Sequence, residues 1–433
     1  GTKMSSVTVR AQAAQTASYV MAGLSSQNKN EALRAIAEAL LVNQTKIVDE
    51  NRKDLAEAEK TGLATPLIKR LLFDESKIKS VVEGIYSLIS LSDPVGRQLL
   101  GTQMDEGLSL YRVTCPIGVI GIIFESRPDA LVQIASLCLK AGNAVLLKGG
   151  SEAAHTNRIL SEVIETASIE AGMPPGWIAL LESRSDVESM LKLDEHIDLI
   201  IPRGSNSFVQ YIMQNSNIPV LGHADGVCHV YVHQKTDPDM AVRLVVDSKT
   251  QYVAVCNAAE TLLIDESVAS ELLPFIAKAL EEKHVILHGD DKAAAIWPMK
   301  GVDEWHHEYL DYEMSVKVVK DEREAIAHIN RYGSGHTDAI ITEDEETALR
   351  FMQAVDSGSV MWNCSTRFSD GFKYGFGAEV GISTSKIHAR GPVGLEGLVT
   401  YKYKVFGKGQ IVEDYAAGKQ HFIHKPIPLS DEK

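Results

Sequence analysis

A chain of 433 residues is too long for one ordinary hydrophobic core, so two or three domains are expected. Hydrophobic residues at 45% and charged residues at 23% fit a folded globular protein and exclude extended disorder. A formal net charge of -15, with no long basic run, argues against nucleic acid or an anionic membrane as the main partner, although a few local arginines can still hold small anions.

In chain order, Gly1-Thr2-Lys3 precede Met4, as at the cut end of a longer polypeptide or after an added leader, and no secretory signal pattern opens the chain. The first hundred residues read as helices. Leu33, Ile36, Ala37, Leu40 and Leu41 recur at helical spacing, and Gly62 should stop the helix ending in Leu55 to Glu59. Ser76 to Ile89 is a second amphipathic stretch. Ser109 to Thr114 alternates like an exposed strand. Val113 to Phe124 is the most apolar early run, but it is too short to span a bilayer and contains Pro116.

From Ile117 onward strands and helices alternate. Ile117 to Phe124 reads as a buried strand, and Pro128 opens a helix whose apolar face is Ala130 to Leu139. Ala144 to Leu147 is the next strand and Glu152 to Glu170 the next helix; Trp177 to Leu181 and Ile197 to Ile201 follow as strands. A second series starts near Val227. This alternation predicts an α/β fold with parallel sheets covered on both faces. The last thirty residues read as polar and extended.

The chemistry is spread along the chain. Five cysteines at 115, 138, 228, 256 and 364 include no C-x-x-C pair, which suggests neither a structural zinc site nor a disulfide framework and fits a reducing compartment. His306-His307 has the wrong spacing for two ligands on one helical face, so no metal is expected. Neither a Walker-type phosphate loop nor a G-x-G-x-x-G turn occurs. Three other loops close predicted strands, where open α/β sheets bind ligands. They are Phe124 to Pro128, Lys148-Gly149-Gly150-Ser151-Glu152, and Pro202-Arg203-Gly204-Ser205. The second joins a lysine, two glycines and a helix start, which suits ribose hydroxyls and phosphate as well as it suits an ordinary capped turn. An isolated cysteine such as Cys256 is ordinarily a small buried hydrophobe. Asn363 to Phe368, Gly375 to Gly381 and His388 to Leu395 are rich in Gly, Arg and hydroxyls and read as binding loops.

Taken together, these segments resemble the γ-glutamyl phosphate reductase family, which is similar in fold to the aldehyde dehydrogenase superfamily. The resemblance runs from about Ala14 to Lys419. It is carried by PIGVIGIIFESRP at 116 to 128, LKGGSEA at 147 to 153, IPRGS at 201 to 205 and VCNAAETLL at 255 to 263. RFSDG at 367 to 371, EVGIST at 379 to 384 and HARGPVGL at 388 to 395 complete the set. It implies an NADPH-binding domain (1–100 and 117–224), a catalytic domain (225–394) and oligomerisation segments (101–116 and 395–425). The strand at Ser109 to Thr114 and the tail after Leu395 are expected to join copies into a dimer or tetramer.

Position by position, the resemblance makes Cys256 the nucleophile, flanked by Asn257, and Lys148 the ribose-holding lysine within the loop Lys148, Gly149, Gly150 and Ser151. Arg203, Gly204 and Ser205 are expected to contact the cofactor, and Glu308 to hold the nicotinamide ribose. Ser151 falls where NAD-preferring relatives carry an acid, which favours NADPH. The stretch Leu221 to Gly226 lacks the base glutamate of acid-forming aldehyde dehydrogenases, although Asp225 could serve as a base. Ser126 stands near the oxyanion-hole slot, and the Cys256 backbone N–H is expected to supply most of that hole. Arg127, Arg367 and Arg390 are candidates for the phosphate and carboxylate of L-glutamyl 5-phosphate, and Glu379 for its α-ammonium. The implied reaction is NADPH-dependent reduction through a thioester, in the cytoplasm, with a glutamate 5-kinase as the partner that supplies the labile acyl phosphate. The nearest alternative is a semialdehyde dehydrogenase that hydrolyses its thioester.

Overall fold

The structure, a computed structural model, describes residues 6–430; the segment before Met4 lies outside the described residues. Five helices come first: Ser6–Met21, Ser26–Val42, Gln44–Lys60, Thr65–Leu71 and Glu75–Ser90. Ser25 starts the second of them, its side chain accepting from the Asn28 N–H while Asn28 answers in a capping box. Leu33, Ile36, Ala37 and Leu40 of that helix are buried as the periodicity predicts. Leu41 is not: it stands 45% exposed, at the margin of the apolar stripe and turned away from the face that buries Ala37 and Leu40. Gly62, at φ 73°, follows the end of Gln44–Lys60 in the left-handed conformation that glycine adopts without strain.

These helices cover a four-stranded parallel sheet. Its order is Ile178–Leu181, Ala144–Lys148, Val119–Phe124, Leu199–Arg203. Every residue of Val119–Phe124 is buried, which explains its unbroken apolar run. Pro128 opens the helix Pro128–Lys140, where its missing N–H costs nothing. Leu33, Ile36 and Ile85 of the helices share one core with Val145, Leu146 and Ile200 of the sheet. Ser151–Ala153 forms a 3-10 turn before the helix Ala154–Glu170.

A second parallel sheet has seven strands, in the order Lys300–Gly301, Ile286–Gly289, Glu313–Val319, Ala259–Asp265, Cys228–Val232, Thr337–Ile341, Ser359–Trp362. Its core is separate, with Val230, Leu262, Ile276 and Val316 at its centre. After Trp362 the chain leaves this sheet, and Val380, Val393, Leu395 and Leu398 pack into the first core. The loops between therefore run from one core to the other.

A four-stranded antiparallel sheet stands apart, in the order Val399–Phe406, Leu108–Pro116, Gln98–Asp105, Lys425–Pro426. The tail is less uniform than its sequence suggests. It contains the short helix Val412–Ala416, and exposed apolar side chains at Ile411, Val412, Phe422 and Ile423. Among the described residues, no helix is long and apolar enough to cross a membrane.

Candidate active site

The ends of the first sheet's strands carry two cavities. One, of about 370 Å³, is lined by Phe124, Glu125, Ser126, Lys148 to Glu152, Glu182, Arg184 and Phe208. The other, of about 250 Å³, is lined by Pro202 to Gly204, Asn206, Gly222, His223, Cys256, Glu379 and Ile382. Strand polarity explains the placement: in parallel sheets the loops after each strand gather at one edge.

In the first cavity Lys148 is buried and its Nζ donates to the Gly149 carbonyl at 2.6 Å. Burial draws this lysine below its ordinary range, while Asp186 and Glu152 oppose the shift and Arg184 adds to it. A Cβ on Gly150 would lie 2.1 Å from the Glu152 carboxylate, so a side chain there would displace that carboxylate. That carboxylate accepts from the Ser126 backbone N–H at 2.7 Å and from its hydroxyl at 3.2 Å. Ser126 sits at φ 63°, a conformation a serine rarely adopts, held by this contact. Its side chain is thus committed to the Lys148 cavity and does not line the cavity of Cys256, contrary to the oxyanion-hole expectation.

The second cavity holds the cysteine. Cys256 lies in a turn ahead of the strand Ala259–Asp265. Burial pushes its thiol up to about 12, the carboxylates of Glu308 and Glu379 add to this, and its own backbone N–H and Arg367 oppose it. The thiol is therefore protonated at neutral pH and needs a proton acceptor. Sequence reading overlooked two histidines that stand beside it. One ring nitrogen each of His223 and His336 and the Cys256 Sγ lie within 4.8 Å of one another. His223 donates through Nδ1 to the Ile382 carbonyl at 2.9 Å, which leaves its Nε2 lone pair free. The sequence signal was present, since His223 stands in the stretch Leu221 to Gly226 that lacks the base glutamate.

Glu308 is brought to the same place. It accepts from Asn206 Nδ2 and from the Gly226 N–H, both at 2.6 Å. Gly226 must be glycine here: a Cβ would lie 2.1 Å from the Cys256 carbonyl. Asn257 faces away from the cavity. Its Nδ2 donates to the Ser369 carbonyl at 2.9 Å and its Oδ1 accepts from Arg367, whose Nε donates to Gln251 at 2.9 Å. Asn257 and Arg367 thereby buttress the Cys256 turn.

Arg203 and Gly204, expected at the cofactor, line the Cys256 cavity, and Arg203 donates to the Val380 carbonyl at 3.2 Å. Ser205 instead caps the helix Asn206–Asn215. Glu379 accepts from the Gly371 N–H at 2.8 Å, and burial raises it above the usual carboxylate range. Arg127 is exposed, on the residue before Pro128. Arg390 pairs with Asp356 at 3.1 Å and lines a different cavity, of about 480 Å³, that does not include Cys256. Asp225 is not free as a base, because His306 Nε2 holds it at 2.5 Å while His306 Nδ1 donates to the Tyr332 carbonyl at 2.6 Å.

Comparison with known proteins follows the same lines. The aldehyde dehydrogenase family matches residues 2–303 and 314–400, and Glu308 falls in the interval between the two matched stretches. A γ-glutamyl phosphate reductase of Ruminiclostridium cellulolyticum is 62% identical over 414 residues, covering 95% of this chain and 96% of that one. One from Acetivibrio thermocellus is 61% identical over 419 residues, covering 95% and 97%. The crystal structure of γ-glutamyl phosphate reductase from Thermotoga maritima superposes with a TM-score of 0.91 at 38% identity, covering 94% of this chain and 100% of that one.

Proposed function

The chain belongs to the aldehyde dehydrogenase family, among the γ-glutamyl phosphate reductases, and from that premise we propose that it reduces L-glutamyl 5-phosphate to L-glutamate 5-semialdehyde through a thioester on Cys256, with release of phosphate. The observation that carries the covalent step is a thiol in a cavity that His223, Glu379 and Arg203 also line, with the charge of Arg367 behind its turn.

In this reading His223 Nε2 takes the thiol proton as Sγ attacks the acyl carbon. Sγ–C forms, C–O breaks and phosphate leaves as a stable anion. The positive charges of Arg203 and Arg367 favour the phosphate end, and Glu379 meets the α-ammonium; Arg127 can reach an anion from the rim. The Cys256 N–H stabilises the oxyanion. A ligand ammonium on Glu379, and hydroxyls on Glu308, would also relieve two of the charges that hold the thiol proton.

Aldehyde dehydrogenases use nicotinamide dinucleotides, and the Lys148 cavity fits one. Lys148 keeps N–H groups for ribose hydroxyls, the Gly149-Gly150 backbone is open to close approach, and Glu308 waits beside Cys256. When bound, the dihydronicotinamide supplies the hydride that reduces the thioester. NADPH is the form we assign. Ser151 is exposed, and Arg184 lines the same cavity. Two of the acids nearby have partners: Glu182 pairs with Arg158 at 3.0 Å, and Glu152 with Ser126.

Two further assignments belong to this reading. The edge strand Val399–Phe406 exposes Tyr401, Tyr403, Val405 and Phe406, which supports pairing with a second copy. The five cysteines of the chain are free, which supports a reducing, cytoplasmic setting, and the lability of an acyl phosphate argues for a glutamate 5-kinase as supplier.

The test is the reverse assay with semialdehyde and NADP. Oxidation should require added phosphate, and Cys256→Ser should abolish it while cofactor binding persists. Turnover without phosphate would favour the hydrolytic alternative, and a fully active serine variant would remove the thioester.

A further inference from the structure

Cys256, His223 and His336 reach one point from three distant segments. Cys256 comes from the turn before Ala259–Asp265, His223 from the loop after the first sheet, and His336 from the residue before the strand Thr337–Ile341. Their ligand atoms form a triangle with no side longer than 4.8 Å.

The two rings are prepared alike. His223 spends Nδ1 on the Ile382 carbonyl at 2.9 Å. His336 Nδ1 lies 2.8 Å from the Thr337 hydroxyl. Oxygen partners on one ring nitrogen orient the other, which is how proteins fix metal-binding imidazoles. His336 Nε2 is buried without a hydrogen-bond partner. A buried ring nitrogen is rarely left unpaired.

We propose that Cys256, His223 and His336 bind a thiophilic divalent cation of the zinc type, which caps the nucleophile and reversibly silences the enzyme. One sulfur and two imidazole nitrogens are a borderline-soft donor set that zinc prefers and that magnesium or calcium does not. Reaching zinc bonds of about 2.0–2.3 Å closes the triangle by on the order of 1 Å, within side-chain adjustment. Binding converts Cys256–SH to a zinc thiolate and releases one proton to the buffer. The fourth tetrahedral position stays open to water.

The test uses the full chain, freed of metal with a chelator, and zinc chloride alone. Calorimetry should give one ion per chain, and bound zinc should slow alkylation of Cys256 by iodoacetamide. Cys256→Ser and His223→Gln should each weaken binding at least about tenfold, as should His336→Gln where melting shows that the buried substitution folds. Unchanged zinc affinity in Cys256→Ser or in His223→Gln would overturn the site. Because His223 is half-buried, its variant decides the matter even if His336→Gln misfolds. Binding does not rest on the catalytic reading, but inhibition does. Zinc that binds and protects Cys256 yet leaves turnover intact would overturn the nucleophile and the capping role while keeping the site; chelator-reversible loss of turnover supports both.

Discussion

At the residue scale, the site depends on small atoms as much as on reactive ones. Gly226 lets the backbone pass the Cys256 carbonyl where a methyl group would lie 2.1 Å away, and its N–H holds Glu308 at 2.6 Å. Gly226→Ala should therefore shift the thiol and lower kcat/KM about hundredfold, since displacements near 1 Å have that cost; steady-state kinetics on a variant with a wild-type melting curve would check it. In the other cavity, Ser151 is the residue that the proposed reading sets beside the cofactor's 2′-phosphate. Ser151→Asp should raise KM for NADPH about tenfold or more and change KM for NADH little, by placing a carboxylate beside a 2′-phosphate. Equal effects on both cofactors would remove Ser151 from that role. Cys256, Lys148 and Glu379 lie in short contiguous motifs, so the family resemblance could single them out, and the roles given to them belong to the proposed reading. His336 was not, because nothing in Gly335-His336-Thr337 records that it faces a cysteine eighty residues earlier in the chain.

At the element scale, a buried ion pair ties the second sheet to the site. Lys249, from the helix Pro238–Thr250, meets Glu260 of the strand Ala259–Asp265 at 3.1 Å with both side chains fully buried. The second Glu260 oxygen accepts from the Tyr309 N–H at 2.6 Å, which fixes the residue next to Glu308. Glu260→Gln alone strands the ammonium and should cost about 3–5 kcal/mol in urea unfolding, whereas adding Lys249→Met should recover most of the loss. Burial raises the Glu260 carboxyl from 4.5 to about 7, against the pull of Lys249 and Tyr309. The folded state thus holds that proton more tightly than the unfolded state. Its contribution to stability is complete below about pH 4.5 and is lost as pH rises through about 7. The double variant should lack that decline. Equal pH slopes in the two proteins would contradict the assignment.

At the scale of the whole molecule, the units built on the two parallel sheets are joined by loops and flanked by a sheet with an open edge. Val399–Phe406 pairs with Leu108–Pro116 on one side, while Val405 and Phe406 stand 56% and 59% exposed. Val405→Lys with Phe406→Lys should lower the sedimentation coefficient by breaking an assembly of copies, with far-UV circular dichroism unchanged; an unaltered coefficient would place the interface elsewhere. What the sequence determined by itself was periodic or contiguous. Alternating strands and helices predicted the parallel sheets, and the LKGGSEA and VCNAAETLL motifs predicted the two loops. Leu41 shows the limit, since a stripe of apolar residues does not say where its buried edge lies. Only the tertiary structure turned Ser126 toward Glu152, gave Arg203 to the cysteine's cavity, removed Arg390 to a different one and set two histidines beside the thiol. The reason is physical: burial and close approach across loops depend on distances through space, and a linear pattern carries only distances along the chain.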